Sequence, residues 1–363
     1  MTQCKNQMNR RACLRSLVGS GAGVVAVAGA SLPLGNAFAQ DGSPNEATDG
    51  ATDGATDGTV QPPLDASPVA AAQVDLTVPQ TTRWRLGVNI DTPVTITSGL
   101  ATFPVFMDWP EQKVSVTGRT VDGRVGNVAV RELDGARQVV VAIPRLTSGG
   151  TVQVEVEMEV VRQPIVAPTE TGDLIVPARL PREMRAYMGN SPMIDATNPA
   201  IRALSRELAG DAPESDWEKV RQIYDVVRDK VRYQEGPIRD ASDALKTGIG
   251  DCEDMTSLFV ALCRNAGIPA RMVWIPGHCY PEFYLEPKDA KPERGELAGT
   301  WYPCQAAGTE QFGGMLESRP VLQKGDRFRV PEQRTPVRYV AEFFRCDRQG
   351  SKAPRVEFVR KPV

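Results

Sequence analysis

One histidine, His278, stands in 363 residues. That scarcity excludes a site built on two or three histidine ligands, as most catalytic zinc centres are. It also routes any Ser-His or Cys-His catalysis through a single position. A metal held by carboxylates or thiolates alone would need a ligand spacing, and the chain shows none. Excess positive charge is missing too: 42 Lys+Arg stand against 45 Asp+Glu with no basic stripe, which removes nucleic acid as a partner. What is present is a 41% hydrophobic fraction, ample for buried cores. At about 150 residues per domain, the length fits about two domains.

Residues 1–39 read as a targeting segment. Asn9-Arg10-Arg11-Ala12-Cys13-Leu14-Arg15 sets paired arginines before a Gly/Ala/Val-rich, uncharged stretch from about Leu17 to Leu32, and Ala37-Phe38-Ala39 follows as an A-x-A cleavage site. The pattern resembles a twin-arginine export signal, which places the mature protein in the periplasm or otherwise outside the cytoplasm. The alternative is a retained anchor, for which the stretch is short and only mildly apolar; membrane contact is expected only through it. Cleavage would leave a modestly acidic chain with Cys252, Cys263, Cys279, Cys304 and Cys346, an odd number in an exported protein.

Residues 40–68 are Asp/Gly/Thr/Pro-rich and hold three copies of Ala-Thr-Asp-Gly, at 47–50, 51–54 and 55–58. Such a segment buries too little apolar surface to offset its ordering entropy and is expected as a disordered linker. Residues 70–170 then alternate as strands. Thr82, Trp84, Leu86, Val88 and Ile90 share one face, Val139–Ile143 is a buried-looking run, and Val152, Val154, Val156, Met158 and Val160 alternate cleanly. Asp122-Gly123, Asp134-Gly135 and Gly149-Gly150 supply turns, and the spacing suggests an immunoglobulin-like β-sandwich.

From residue 173 to about 345 the pattern is mixed. Asp216 is a candidate N-cap for a helix whose stripe is Trp217, Val220, Tyr224, Val227 and Val231. A second helix starts at Gly250-Asp251-Cys252-Glu253-Asp254 and carries Met255, Leu258, Phe259, Leu262 and Cys263 on one face, with Gly267-Ile268-Pro269 ending it. Asp251 caps it, so Cys252 sits at the first helical position. Unpaired N–H groups and the positive dipole end favour a thiolate there. Strands follow at Arg271–Ile275, from Gly277-His278 onward, and at Trp301–Gln305. Pro281 is expected to interrupt the second of these.

Gly250–Asp254, Leu258–Arg264 and Ala266–Arg271, with the helix before and the strands after as far as Gln305, resemble the core of the transglutaminase-like superfamily. The resemblance implies an α+β, papain-like fold with a Cys-His-Asp triad. Cys252 and His278 match the first two positions, and Glu282 matches a frequent glutamate four residues after the histidine. At the third position Trp301 leads to Gln305 where the family has Asp; a carboxamide can still accept from one imidazole nitrogen and hold the ring. The implied chemistry is acyl transfer through a Cys252 thioester on a protein or peptide amide. Hydrolysis (protease or amidase) and amine transfer (transglutaminase) both stay open, and no cofactor or metal is implied. Tyr233 is a second oxyanion candidate beside the Cys252 N–H. The competing reading is a non-catalytic module that binds protein or cell-wall peptide, and Gln305 favours it.

If His278 faces Gln305 across antiparallel strands, Cys279 lies opposite Cys304 on the other face, within disulfide range. A Cys279–Cys304 bridge and two unpaired thiols are the alternatives. Further on, Tyr339–Phe344 and Val356–Val359 read as closing strands of the mixed domain, with 346–363 as a tail or last strand. Arg327, Arg329, Arg334 and Arg338 read as a solvated face.

Overall fold

The structure is a computed structural model that describes residues 78–180, 183–210, 213–291 and 297–363. The targeting segment expected at 1–39 and the linker expected at 40–68 lie outside the described residues. The alternating segments form β1 (Gln80–Asp91), β2 (Ile96–Val105), β3 (Gln112–Val121), β4 (Asn127–Leu133), β5 (Ala136–Leu146) and β6 (Thr151–Arg162). They pair antiparallel as β1-β6-β3 and β2-β5-β4. Period-two burial gives each sheet one apolar face. Trp84, Leu86, Val88 and Ile90 meet Ile96, Phe103, Val139, Val141 and Ile143 in one core between the sheets.

The second half begins with β7 (Leu174–Ile175) and continues with α1 (Pro199–Gly210), α2 (Asp216–Lys230), β8 (Arg232–Tyr233), α3 (Ala241–Thr247) and β9 (Ile249–Gly250). Then come α4 (Cys252–Asn265), β10 (Ala270–Ile275), β11 (His278–Pro287), β12 (Thr300–Pro303) and β13 (Gln323–Lys324). The sheet runs β12-β11-β10-β13, with β7 paired to the end of β11, and all these pairs are antiparallel. Helices pack on it, so this part is α+β. The α2 stripe is buried as expected, but its N-cap is Ser215, whose Oγ accepts from Glu218 N at 3.2 Å. Asp216 instead turns outward from the first turn: its Oδ2 accepts from Val176 N at 2.8 Å and ties β7 to the helix.

Helix α4 is central rather than one-sided: every residue from Glu253 to Arg264 is buried. Its polar positions are therefore matched by ions. Arg264 pairs with Asp326 at 2.8 Å, both fully buried, and Asp254 with Arg239 at 3.0 Å. Arg338 donates to Glu253 O and Ser257 Oγ, both at 2.9 Å. Arg338 thus leaves the solvated face expected for it, being 3% exposed, while Arg327, Arg329 and Arg334 are exposed.

Two further strands, β14 (Phe343–Arg348) and β15 (Arg355–Pro362), correct the reading of the C-terminal region. They close the sandwich, not the mixed domain: β14 pairs with β2 and β15 with β1, completing two four-stranded sheets. Without them β1 and β2 would be edge strands with open rows of N–H and C=O groups. Phe344 and Cys346 join the sandwich core, and Val356 and Phe358 pack against it.

Candidate active site

The start of α4 is built by a reciprocal cap. Asp251 Oδ1 accepts from Glu253 N at 2.9 Å and Asp254 N at 3.1 Å, while Asp254 Oδ2 accepts from Asp251 N at 3.3 Å. Gly250 is needed for the close approach, since a Cβ there would stand 2.7 Å from Asp254 Cβ. This fixes Cys252, half-buried, as the first helical residue with the dipole behind it.

His278 is delivered by a hairpin. β10 and β11 are joined by Pro276-Gly277 with Ile275 paired to His278, and Gly277 has φ +80°, so Pro then left-handed Gly gives the type II turn pattern. The histidine is hydrogen-bonded to Cys252, and its Nε2 lies 2.8 Å from Gln305 Oε1. A carboxamide oxygen only accepts, so Nε2 carries the proton and Nδ1 is left for the sulfur. Gln305 is held in turn: its Nε2 donates toward Met315 Sδ at 3.5 Å, its N–H to Gln311 O at 2.8 Å, and its C=O accepts from Arg228 Nη1 at 2.9 Å.

The electrostatics follow from these contacts. The Cys252 thiol is held well below its ordinary range, first by a hydrogen bond from the Cys279 thiol, against the opposing effect of burial, and then by His278 and the Cys279 N–H. Burial pulls the His278 imidazolium down, but the Cys252 sulfur and Gln305 outweigh it and raise the pair's basic member. Burial and the neighbouring Cys252 push the Cys279 thiol well up, so it remains a donor. Thiolate and imidazolium therefore favour one another.

The sequence expectations and the structure differ in three places. Gln305 meets His278 at 2.8 Å but not as a register partner: β11 and β12 pair as Glu282↔Pro303, two residues off the expected alignment. Cys304 N consequently bonds Pro281 O at 3.1 Å, and Cys279 faces α4, with its Sγ 3.8 Å from Thr256 Oγ1. Cys279 and Cys304 are both free, buried thiols, so the expected bridge is not present. Pro281 does not break the strand, because its partner Met272 sends its C=O to Gly325 N at 2.7 Å, away from β11. Glu282, 1% exposed, accepts from Arg271 at 2.8 Å and Lys324 at 2.7 Å and so anchors the sheet. Cys279 as a donor to Cys252 was missed; no local sequence pattern marks it.

A cleft of about 920 Å³ opens beside the pair, with His278, Gln305 and Tyr233 in its wall. Tyr233 is half-exposed on β8, which pairs with β9 as Tyr233↔Gly250 and so stands next to the helix start. Among the described residues no three His, Cys, Asp or Glu side chains gather as a metal ligand set.

Residues 202–306 match the transglutaminase-like superfamily. The transglutaminase-like segment thus runs from α1 through Gln305 and holds Cys252, His278 and Gln305. No curated protein matches the chain. Among solved structures, a candidate cysteine protease from Cytophaga hutchinsonii shares 18% identity over 77% of this chain and 91% of its own, with a TM-score of 0.49. The periplasmic domain of TgpA from Pseudomonas aeruginosa, bound to ethylmercury, shares 15% identity over 58% of this chain and 90% of its own, with a TM-score of 0.29.

Proposed function

We propose that the protein is a cysteine acyl-transfer enzyme acting on peptide amides, with water as the acceptor. The observation that carries this is the chain of contacts from Cys252 at a capped helix start, through His278, to Gln305 Oε1 at 2.8 Å. The Cys252 thiolate attacks the amide carbonyl carbon, and the developing oxyanion meets the Cys252 N–H, with Tyr233 on the cleft wall as a second donor. His278 Nδ1–H protonates the leaving amine as the C–N bond breaks, giving a thioester. Water then attacks the thioester with His278 as base, the C–S bond breaks, and thiolate and imidazolium return. Gln305 holds the ring throughout. Paired arginines before an uncharged stretch and an A-x-A site support a site of action outside the cytoplasm.

A non-catalytic, peptide-binding role draws on Gln305 standing where the superfamily has a carboxylate. A peptide library with and without an added primary amine, run on wild type and Cys252→Ala, separates the readings. Cleaved peptides that vanish in Cys252→Ala support hydrolysis, and amine-linked peptides redirect the assignment to transfer. Peptides retained uncut by both proteins overturn catalysis.

A further inference from the structure

The chain as a whole carries a small negative charge, yet the cleft beside His278 is walled by Arg228, Arg232 and Arg319 against one acid, Glu317. Arg319 is neutralised by Glu317 at 2.6 Å. Arg228 is not: its Nη1 and Nη2 donate to Gln305 O at 2.9 Å and Gly308 O at 3.0 Å, and its guanidinium lies 5.4 Å from the Tyr224 ring centre. Arg232 is exposed, and the one hydrogen bond of its guanidinium among the described residues goes to the neutral Gln234 Oε1 at 3.1 Å. Of the acids beside this wall in sequence, Glu310 is turned to Arg221 at 2.8 Å, Glu235 acts on Tyr233, and among the described residues neither Glu235 nor Asp229 forms an ion pair with Arg228 or Arg232. Among the described residues, two guanidinium charges therefore face the cleft without a carboxylate partner. Planar N–H forks of this kind suit a carboxylate bound from solution.

We propose that the cleft selects an acidic peptide segment, with an Asp or Glu carboxylate flanking the reacting amide and held by Arg232 and Arg228; this rests on the acyl-transfer reading of Cys252. Arg232 is the specificity-determining residue, since Arg228 is committed to the loop that carries Gln305. The expected rank order places peptides with an acidic residue beside the amide above neutral ones, and basic ones last.

Two small reagents test this without a known substrate. Rates of Cys252 alkylation by anionic iodoacetate and neutral iodoacetamide are measured on the full chain by mass spectrometry of the Cys252 peptide. The readout is their ratio in wild type, Arg232→Gln and Arg232→Glu. Reversing the charge by two units in a watery cleft lowers the ratio severalfold at low salt in Arg232→Glu, and Arg232→Gln falls between. Added salt shrinks the difference. Equal ratios in all three proteins, with Cys252 still reacting rapidly with iodoacetamide, overturn the acidic selection and leave the acyl-transfer reading standing. Iodoacetamide rates no faster than those of an ordinary cysteine overturn both.

Discussion

The Cys252 sulfur accepts hydrogen bonds from the Cys279 thiol and N–H as well as from His278, so its thiolate is stabilised from two directions. The sign of the pH dependence follows. A thiol lowered from its ordinary value is already ionised well below pH 9, and an imidazole raised from 6.5 keeps its proton beyond that value. Cys252 alkylation therefore holds its rate to lower pH than that of an ordinary cysteine and declines when the thiolate is protonated. Cys279→Ala removes one donor to the charged form, a loss of about 1.5 kcal/mol that lowers the alkylation rate on the acidic side roughly tenfold. An unchanged acid limb would show that the Cys279 thiol contributes nothing. Gln305→Asp supplies a carboxylate to the imidazolium and extends activity to higher pH, whereas Gln305→Ala frees the ring and costs on the order of tenfold in turnover. Cys252, His278 and Gln305 were all legible in the sequence, through a capped helix start, a sole histidine and a Trp-led spacing. Cys279 was not, because its proximity to Cys252 is set by how β11 lies on α4 rather than by any local pattern.

At the scale of elements, the helix ends were read well because capping is local chemistry, and strand alignment was read poorly because it is not. The Gly250–Asp254 cap was visible as residue types three positions apart. The β11–β12 register was misjudged by two residues, since it depends on where Cys304 N finds the Pro281 carbonyl, 3.1 Å away. The cap carries its own prediction. Gly250→Ala brings a Cβ to 2.7 Å from Asp254 Cβ, an atom fixed by the helix backbone that cannot swing aside. Destabilisation of about 1–3 kcal/mol is expected, the usual range for overpacking, with slower Cys252 alkylation as the cap loosens. Thermal melts matching wild type would show that the turn yields without cost.

For the whole molecule, the two halves are joined by a buried ion network that no sequence pattern announces. Glu111, just before β3, pairs with Arg162 at the end of β6 at 3.0 Å and with Lys324 of β13 at 2.7 Å; Lys324 also reaches Glu282 of β11 at 2.7 Å. Arg162 Nη2 donates to Tyr280 OH at 3.0 Å, so the strand that begins at His278 is tied to the sandwich. Burial alone would raise the Glu111 carboxyl, but Lys324 and Arg162 outweigh it and hold it at about 2 against an ordinary 4.5. A carboxylate lowered on folding adds stability that is complete above its unfolded value and fades as pH falls toward its folded one. Glu111→Gln leaves Arg162 buried with less compensation, and breaking a buried pair in this way costs about 3–5 kcal/mol. Denaturant unfolding should show that gap at pH 7 and a narrower one near pH 3, where wild type begins to lose the same contribution. A gap that stays constant between those two pH values would mean that Glu111 acts through shape and not through its charge.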